Sequence, residues 1–265
     1  MEIVDTERGQ FAVRRKGDGP TAVFLHGFPF DSTMWLDQIS GLNGLGERLA
    51  IDLRGYGRSE PIHDEVANLD DHAGDVIAVI DALGIHRMDL IGFSMGGYIS
   101  LAIAQRYPDR LRSLALVDSK ADADAPAAKA NRDTAALRAT IQGREALAME
   151  TVELLLSPSA SLFAKARLRS MVEACPFETI VAGQAGLKRR PDCRKVLESL
   201  TVPFLAVVGE DDRITPPELS VAMADAAPDG TSVVVPGAGH MSPIEQPEAV
   251  NTILRDWLKT VRLNV

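Results

Sequence analysis

The order of apolar runs along the chain constrains its fold more than any other feature. Short stretches that are almost wholly apolar, AVFL (22–25), LIGF (90–93), LALV (114–117) and FLAVV (204–208), alternate with longer segments whose apolar residues recur at helical spacing. A strand that is apolar throughout has to be covered on both faces, whereas an alternating strand buries only one. Strands of the first kind separated by helices form a mostly parallel sheet with helices on either side. Chemistry in such sheets gathers at the carboxyl ends of the strands.

The segments follow in order. EIVDTER and QFAVRRKG predict a hairpin, PTAVFLHGF a buried strand running into a glycine loop, and STMWLDQISGL a helix with Ser32 as its cap. ERLAIDLRGYGRSE predicts a strand and a second glycine loop; LDDHAGDVIAVIDALGI predicts a helix carrying Val76, Ile77, Val79, Ile80 and Leu83 and stopping at Gly84. RMDLIGF, LRSLALVDS, VPFLAVVGEDD and TSVVVPG supply further strands; MGGYISLAIAQRYP, PPELSVAMADAAP and EAVNTILRDWLKTV supply helices. Between Ser119 and the strand at 202 the pattern changes to Ala-, Arg- and Leu-rich helical sequence. The expected division is therefore a core of residues 1–119 and 200–265, with a helical cap over 120–199 above the strand ends.

Composition excludes several classes. A formal net charge of −9 provides no basic surface for phosphates, so nucleic acid is not an expected partner. No segment reaches the roughly 18 apolar residues of a membrane span, and MEIVDTERGQ lacks the basic-then-apolar order of a secretory signal. Cys175 and Cys193 lack metal or disulfide spacing, which fits a reducing cytoplasm, the expected location. His63, His72 and His86 share no ligand spacing, and LDDH is expected to present a solvated helix face. GLNGLG follows a helix and lacks the Lys-Ser/Thr of a phosphate loop. Neither a metal nor a cofactor is expected.

Three residues at predicted strand ends carry the chemistry. Ser94 follows DLIGF, Asp212 follows FLAVVGED, and His240 follows SVVVPGAG. A serine hydroxyl is a weak nucleophile unless a base and an orienting group stand beside it, and Ser, Asp, His is the chain order of the nucleophile elbow. Gly92 and Gly96, two residues either side of Ser94, suit a strand-to-helix reversal too tight for side chains. Asp118, at the end of LALVDS, is the alternative acid; the spacing from Gly209 favours Asp212.

With FLHGFPFDSTMW, DLRGYGRS, LIGFSMGG, VVGEDDRITP and PGAGHMSPIEQPEAV in this order, the sequence resembles the α/β-hydrolase family, in its cap-bearing branch of small esterases, lactonases and cofactor-free haloperoxidases. The resemblance implies an α/β-hydrolase fold and assigns Ser94 as nucleophile, His240 as base and Asp212 as its orienting acid. It implies an oxyanion hole from the backbone N–H groups of Phe28 and Met95, with His26 and Gly27 ordering the loop. Arg54 and Ser59 are expected to pin a loop near the site.

A serine nucleophile disfavours the dehalogenase and epoxide hydrolase chemistries, which need a carboxylate. The expected activity is hydrolysis of a small or medium carboxylic ester through an acyl-enzyme, with an ester or lactone as the small-molecule partner. Lactonase and perhydrolase activities share the mechanism, and a small-molecule receptor on the same fold is the reading from another class. LKRRPDCRK is expected to be a solvated helix end rather than a subsite for a carboxylated substrate.

Overall fold

The computed structural model describes residues 1–263. Eight strands form one sheet in the order β1-β2-β4-β3-β5-β6-β7-β8. They are β1 (Glu2–Thr6), β2 (Gly9–Lys16), β3 (Thr21–Leu25), β4 (Glu47–Ile51), β5 (Met88–Phe93), β6 (Leu111–Val117), β7 (Phe204–Gly209) and β8 (Gly230–Val235). The hairpin β1-β2 is antiparallel and β2 meets β4 antiparallel; every later pairing is parallel.

Continuous apolar runs arise because adjacent residues of one strand serve opposite cores. Val23 and Leu25 of β3, Leu90 of β5 and Leu114 and Leu116 of β6 pack into one cluster. Ala22 and Phe24, Ile91, and Ala115 and Val117 pack into the other. The helices that close these two layers are α1 (Leu36–Gly41), α2 (Leu69–Ala82) and α3 (Met95–Arg106). Between β6 and β7 come α4 (Pro126–Leu155), α5 (Leu162–Ala174), α6 (Phe177–Arg189) and α7 (Arg194–Glu198); α8 (Pro217–Ala226), α9 (Ser242–Glu245) and α10 (Pro247–Leu263) complete the chain. The first core takes Ala73, Val76, Ile77 and Ile80 of α2. The second takes Val250, Leu254 and Leu258 of α10, spaced for one helical stripe. No described helix is long and apolar enough to cross a membrane.

Local details depart from the sequence reading. The segment at 32–42 opens as a 3-10 turn, Ser32–Trp35, capped by Asp31, whose side chain accepts from Thr33 N–H at 2.7 Å. Ser32 instead receives Arg14 Nε on its hydroxyl and gives its N–H to Asp52. The long α4 is broken at Gly143 (φ 81°, ψ 173°). His72 does not lie on a solvated face: it is 2% exposed, continuing the buried stripe of Leu69, Ala73 and Val76. Arg190, expected at a solvated helix end, is 4% exposed.

Candidate active site

Parallel strands deliver the site. Ser94 follows β5, Asp118 follows β6, Asp212 lies three residues beyond β7, and His240 lies on the loop after β8. The loop His26–Phe30 leaves β3 beside them.

Ser94 occupies the N-cap position of α3, yet its side chain makes no capping bond. Its backbone lies at φ 48°, ψ −111°, in the left-handed half of the map, where a non-glycine residue is strained. Surrounding bonds hold that conformation: Ser94 N–H donates to Val117 O at 3.0 Å, and Ser119 Oγ donates to Ser94 O at 2.8 Å. Gly92 and Gly96 permit the turn because a Cβ at either would strike backbone oxygen, that of Gly96 at the first and those of Leu25 and His26 at the second.

The hydroxyl so presented reaches His240. Ser94 Oγ lies 3.0 Å from His240 Nε2, and His240 Nδ1 lies 2.8 Å from Asp212 Oδ2. Asp212 also accepts from Ile214 N–H (2.8 Å), Thr215 N–H (2.9 Å) and Thr215 Oγ1 (2.6 Å). Burial opposes its charge, but the His240 contact and these donors outweigh it and hold the carboxyl below the usual range. An ionised Asp212 accepts, so Nδ1 carries the imidazole proton and Nε2 is left with a lone pair toward Ser94.

Asp118 is committed elsewhere. Its Oδ1 accepts from Gly209 N–H at 2.8 Å, and its Oδ2 accepts from Ser242 N–H (3.1 Å) and Ser242 Oγ (2.6 Å). It joins the ends of β6 and β7 to the residue two past His240. Burial, with nearby Asp212, pushes its carboxyl well above the usual range.

The glycine loop after β3 is fixed from beneath. His26 is fully buried; its Nδ1 lies 2.9 Å from Gly27 O and its Nε2 accepts from Leu53 N–H at 3.0 Å. Burial lowers its pKa, and both ring nitrogens are spent on backbone, as a loop-ordering residue requires. Phe30 N–H donates to Gly27 O at 2.9 Å, closing the turn. Phe28 and Met95 both line the cavity beside Ser94 and His240. Arg54 reaches Asp75 through Nε (2.7 Å) and Nη2 (2.8 Å), and Ser59 Oγ donates to Asp52 O at 2.5 Å, so DLRGYGRS is pinned as expected.

Two supports carry no motif. Glu245 accepts from Gly239 N–H (2.9 Å), Met241 N–H (3.3 Å) and Ser157 N–H (2.8 Å), bracketing His240 and tying its loop to the helical segment. His240 N–H donates to Leu155 O at 2.7 Å. Such pairings across scores of residues leave no local signal, although PIEQP after GAGH hints that a carboxylate follows the histidine closely.

A cavity of about 390 Å³ opens over Ser94 and His240. Its apolar lining includes Phe28, Tyr98, Leu147, Leu154, Leu187 and Ile214; Asn131, Arg132, Thr151 and Gln184 supply polar groups. Most of this wall comes from α4 and α6.

A family model described as the alpha/beta hydrolase fold matches residues 20–247. A thermophilic esterase from Thermogutta terrifontis, solved with malate bound, superposes with a TM-score of 0.93 and 36% identity, covering 98% of each chain. The enol-lactonase of Burkholderia xenovorans LB400 superposes with a TM-score of 0.89 at 25% identity, over 97% of this chain and all of that one. A 2-(acetamidomethylene)succinate hydrolase from Mesorhizobium japonicum is 28% identical over 249 residues, 89% of this chain and 87% of the relative. A matched model over most of the chain and a relative this similar over its whole length agree with the sheet order and the strand-end site: the chain belongs to the α/β-hydrolase fold family.

Proposed function

We propose that this hydrolase cleaves small or medium carboxylic esters through an acyl-enzyme formed on Ser94. One observation carries the reading: a strained serine with its hydroxyl 3.0 Å from an imidazole nitrogen whose ring partner bonds a buried carboxylate. In this reading His240 Nε2 takes the Ser94 proton as Oγ attacks the acyl carbon, and returns it to the departing alkoxide. Asp212 orients the imidazole and stabilises its positive charge. Water then enters by the same proton route and releases the acid.

The oxyanion is held by the N–H groups of Phe28 and Met95. Met95 opens α3, so its N–H belongs to the unsatisfied first turn, where the helix dipole also favours negative charge. Loss of one such donor costs about 10² to 10³ in rate. The helical segment 120–199 acts as a cap: its apolar wall limits the substrate to something that fits about 390 Å³. Similarity to an enol-lactonase and to a hydrolase of an amide-type substrate supports the same acyl-enzyme route for a cyclic ester or a C–N bond.

The test is turnover of p-nitrophenyl acetate, butyrate and octanoate. Repeated cycles with a preference for the shorter chains are expected. A single stoichiometric burst without turnover would instead favour a receptor built on this fold.

A further inference from the structure

The cationic side chains near the end of α6 divide into two groups. Arg194 and Lys188 are exposed and paired, with Asp192 at 2.5 Å and Asp133 at 2.6 Å. Arg190 turns inward: its side chain is 2% exposed and its guanidinium lies 4.3 Å from the centroid of the Tyr98 ring. Arg190 Nη2 stands 2.8 Å from Asp124 Oδ1, a buried ion pair.

Asp124, 2% exposed at its side chain, would balance Arg190 alone. It also accepts from Arg132 Nε of α4 and has the Lys120 ammonium 3.8 Å away. Burial opposes its charge, yet Arg132 and Arg190 outweigh that effect and keep the carboxyl below its usual range. Three cations therefore share one buried carboxylate. Asp122, the neighbouring acid, lies 3.5 Å from Arg194 and is more exposed. The positive charge left over is carried by Arg132 and Lys120, whose side chains are only about one-fifth exposed, so screening by water is reduced.

Arg132 brings that charge to the active-site cavity. It lines the same space as Ser94 and His240; its Nη1 donates to Gln184 Oε1 at 3.1 Å, and its Nη2 has no hydrogen-bond partner among the described residues. The other charged pair on this wall, Arg138 and Glu150, lies 3.7 Å apart at exposed positions and cancels. The same lining includes Leu147, Leu155 and Leu187, which suit an aliphatic arm.

We infer that Arg132 determines specificity at the Ser94 site, and that the favoured substrate is an ester or lactone bearing a carboxylate on an aliphatic arm remote from the scissile carbonyl. This rests on the hydrolytic reading above. One free guanidinium nitrogen with surplus positive charge behind it matches a monoanion, and a charge-assisted hydrogen bond supplies the discrimination.

The test compares kcat/KM for monomethyl glutarate with that for methyl hexanoate, an uncharged ester of similar length. Wild type prefers the anion, and added NaCl weakens the preference. Arg132→Gln lowers the anionic-to-neutral ratio roughly 10- to 100-fold, the value of one charged hydrogen bond, while Arg132→Lys retains most of it. An absent preference in wild type, or a ratio unchanged by Arg132→Gln, overturns the proposal. Failure of both esters to turn over counts against the hydrolytic reading, and binding then tests the anion site separately. Glutarate should raise the Tm of wild type but not of Arg132→Gln; equal shifts, or none, would overturn it.

Discussion

Asp118 and Asp212 lie at the ends of neighbouring strands, but only Asp212 reaches His240, at 2.8 Å. Asp118 gives its oxygens to Gly209 and Ser242. One side chain bonds the imidazole; the other ties the loop that carries it to the sheet.

Separate kinetic signatures follow for the two acids. Asp212→Asn removes the acceptor that fixes the imidazole tautomer and is expected to lower kcat about 10⁴-fold with little change in KM. Asp118→Asn faces Ser242 N–H with an amide where an acceptor stood, and is expected to cost about 1–3 kcal/mol of stability with a much smaller loss in kcat. Steady-state kinetics and urea unfolding on both variants separate these effects. The reverse pattern would assign the orienting role to Asp118.

Glu245 brackets His240 from both sides. Glu245→Ala leaves the N–H groups of Gly239, Met241 and Ser157 without their carboxylate and is expected to cost about 1–3 kcal/mol. Because the freed loop carries the imidazole, kcat should fall along with Tm, while Glu245→Gln should recover part of both. Unaltered kcat in the alanine variant would show that the loop is held without it.

His72 makes stability depend on pH. Burial lowers its pKa from 6.5 to about 4, and neither ring nitrogen has a hydrogen-bond partner among the described residues. Between those values the unfolded chain binds the proton and the folded one does not, so stability rises with pH across that window. The contribution is fully present above pH 6.5 and is lost as pH falls toward 4, about 3 kcal/mol in all. His72→Phe should flatten the slope of unfolding free energy over this range relative to wild type. Parallel slopes in urea titrations at pH 4.5, 5.5 and 7 would contradict it.

The sheet was legible because burial on both faces writes itself into consecutive apolar residues, as in Ala22 to Leu25. Ser94 and Asp212 were legible because each follows such a run and two glycines flank the serine; His240 was legible because it follows the apolar triplet Val233–Val235 of the edge strand and a glycine loop. Arg190 and His72 depart from the sequence expectation for different physical reasons. His72 sits in register with Leu69, Ala73 and Val76, so the helical stripe already marked it as buried. Arg190 carried no such mark, since the groups that bury it, Asp124 and Tyr98, lie far away in sequence. Asp31 displaced Ser32 as the cap because Ser32 is needed by Arg14 and Asp52. The break at Gly143 lies in helix-favouring sequence on both sides and shows only as that single glycine.

The central claim is that Ser94 Oγ is the nucleophile. Treatment with a serine-directed aryl phosphonate, followed by intact-mass and peptide mass spectrometry, should find one phosphonyl group per chain, on Ser94, with ester hydrolysis lost in parallel. Ser94→Ala should take up no label and hydrolyse no ester above a residual background. Full hydrolytic activity in Ser94→Ala, or stoichiometric labelling at another residue, would contradict the account.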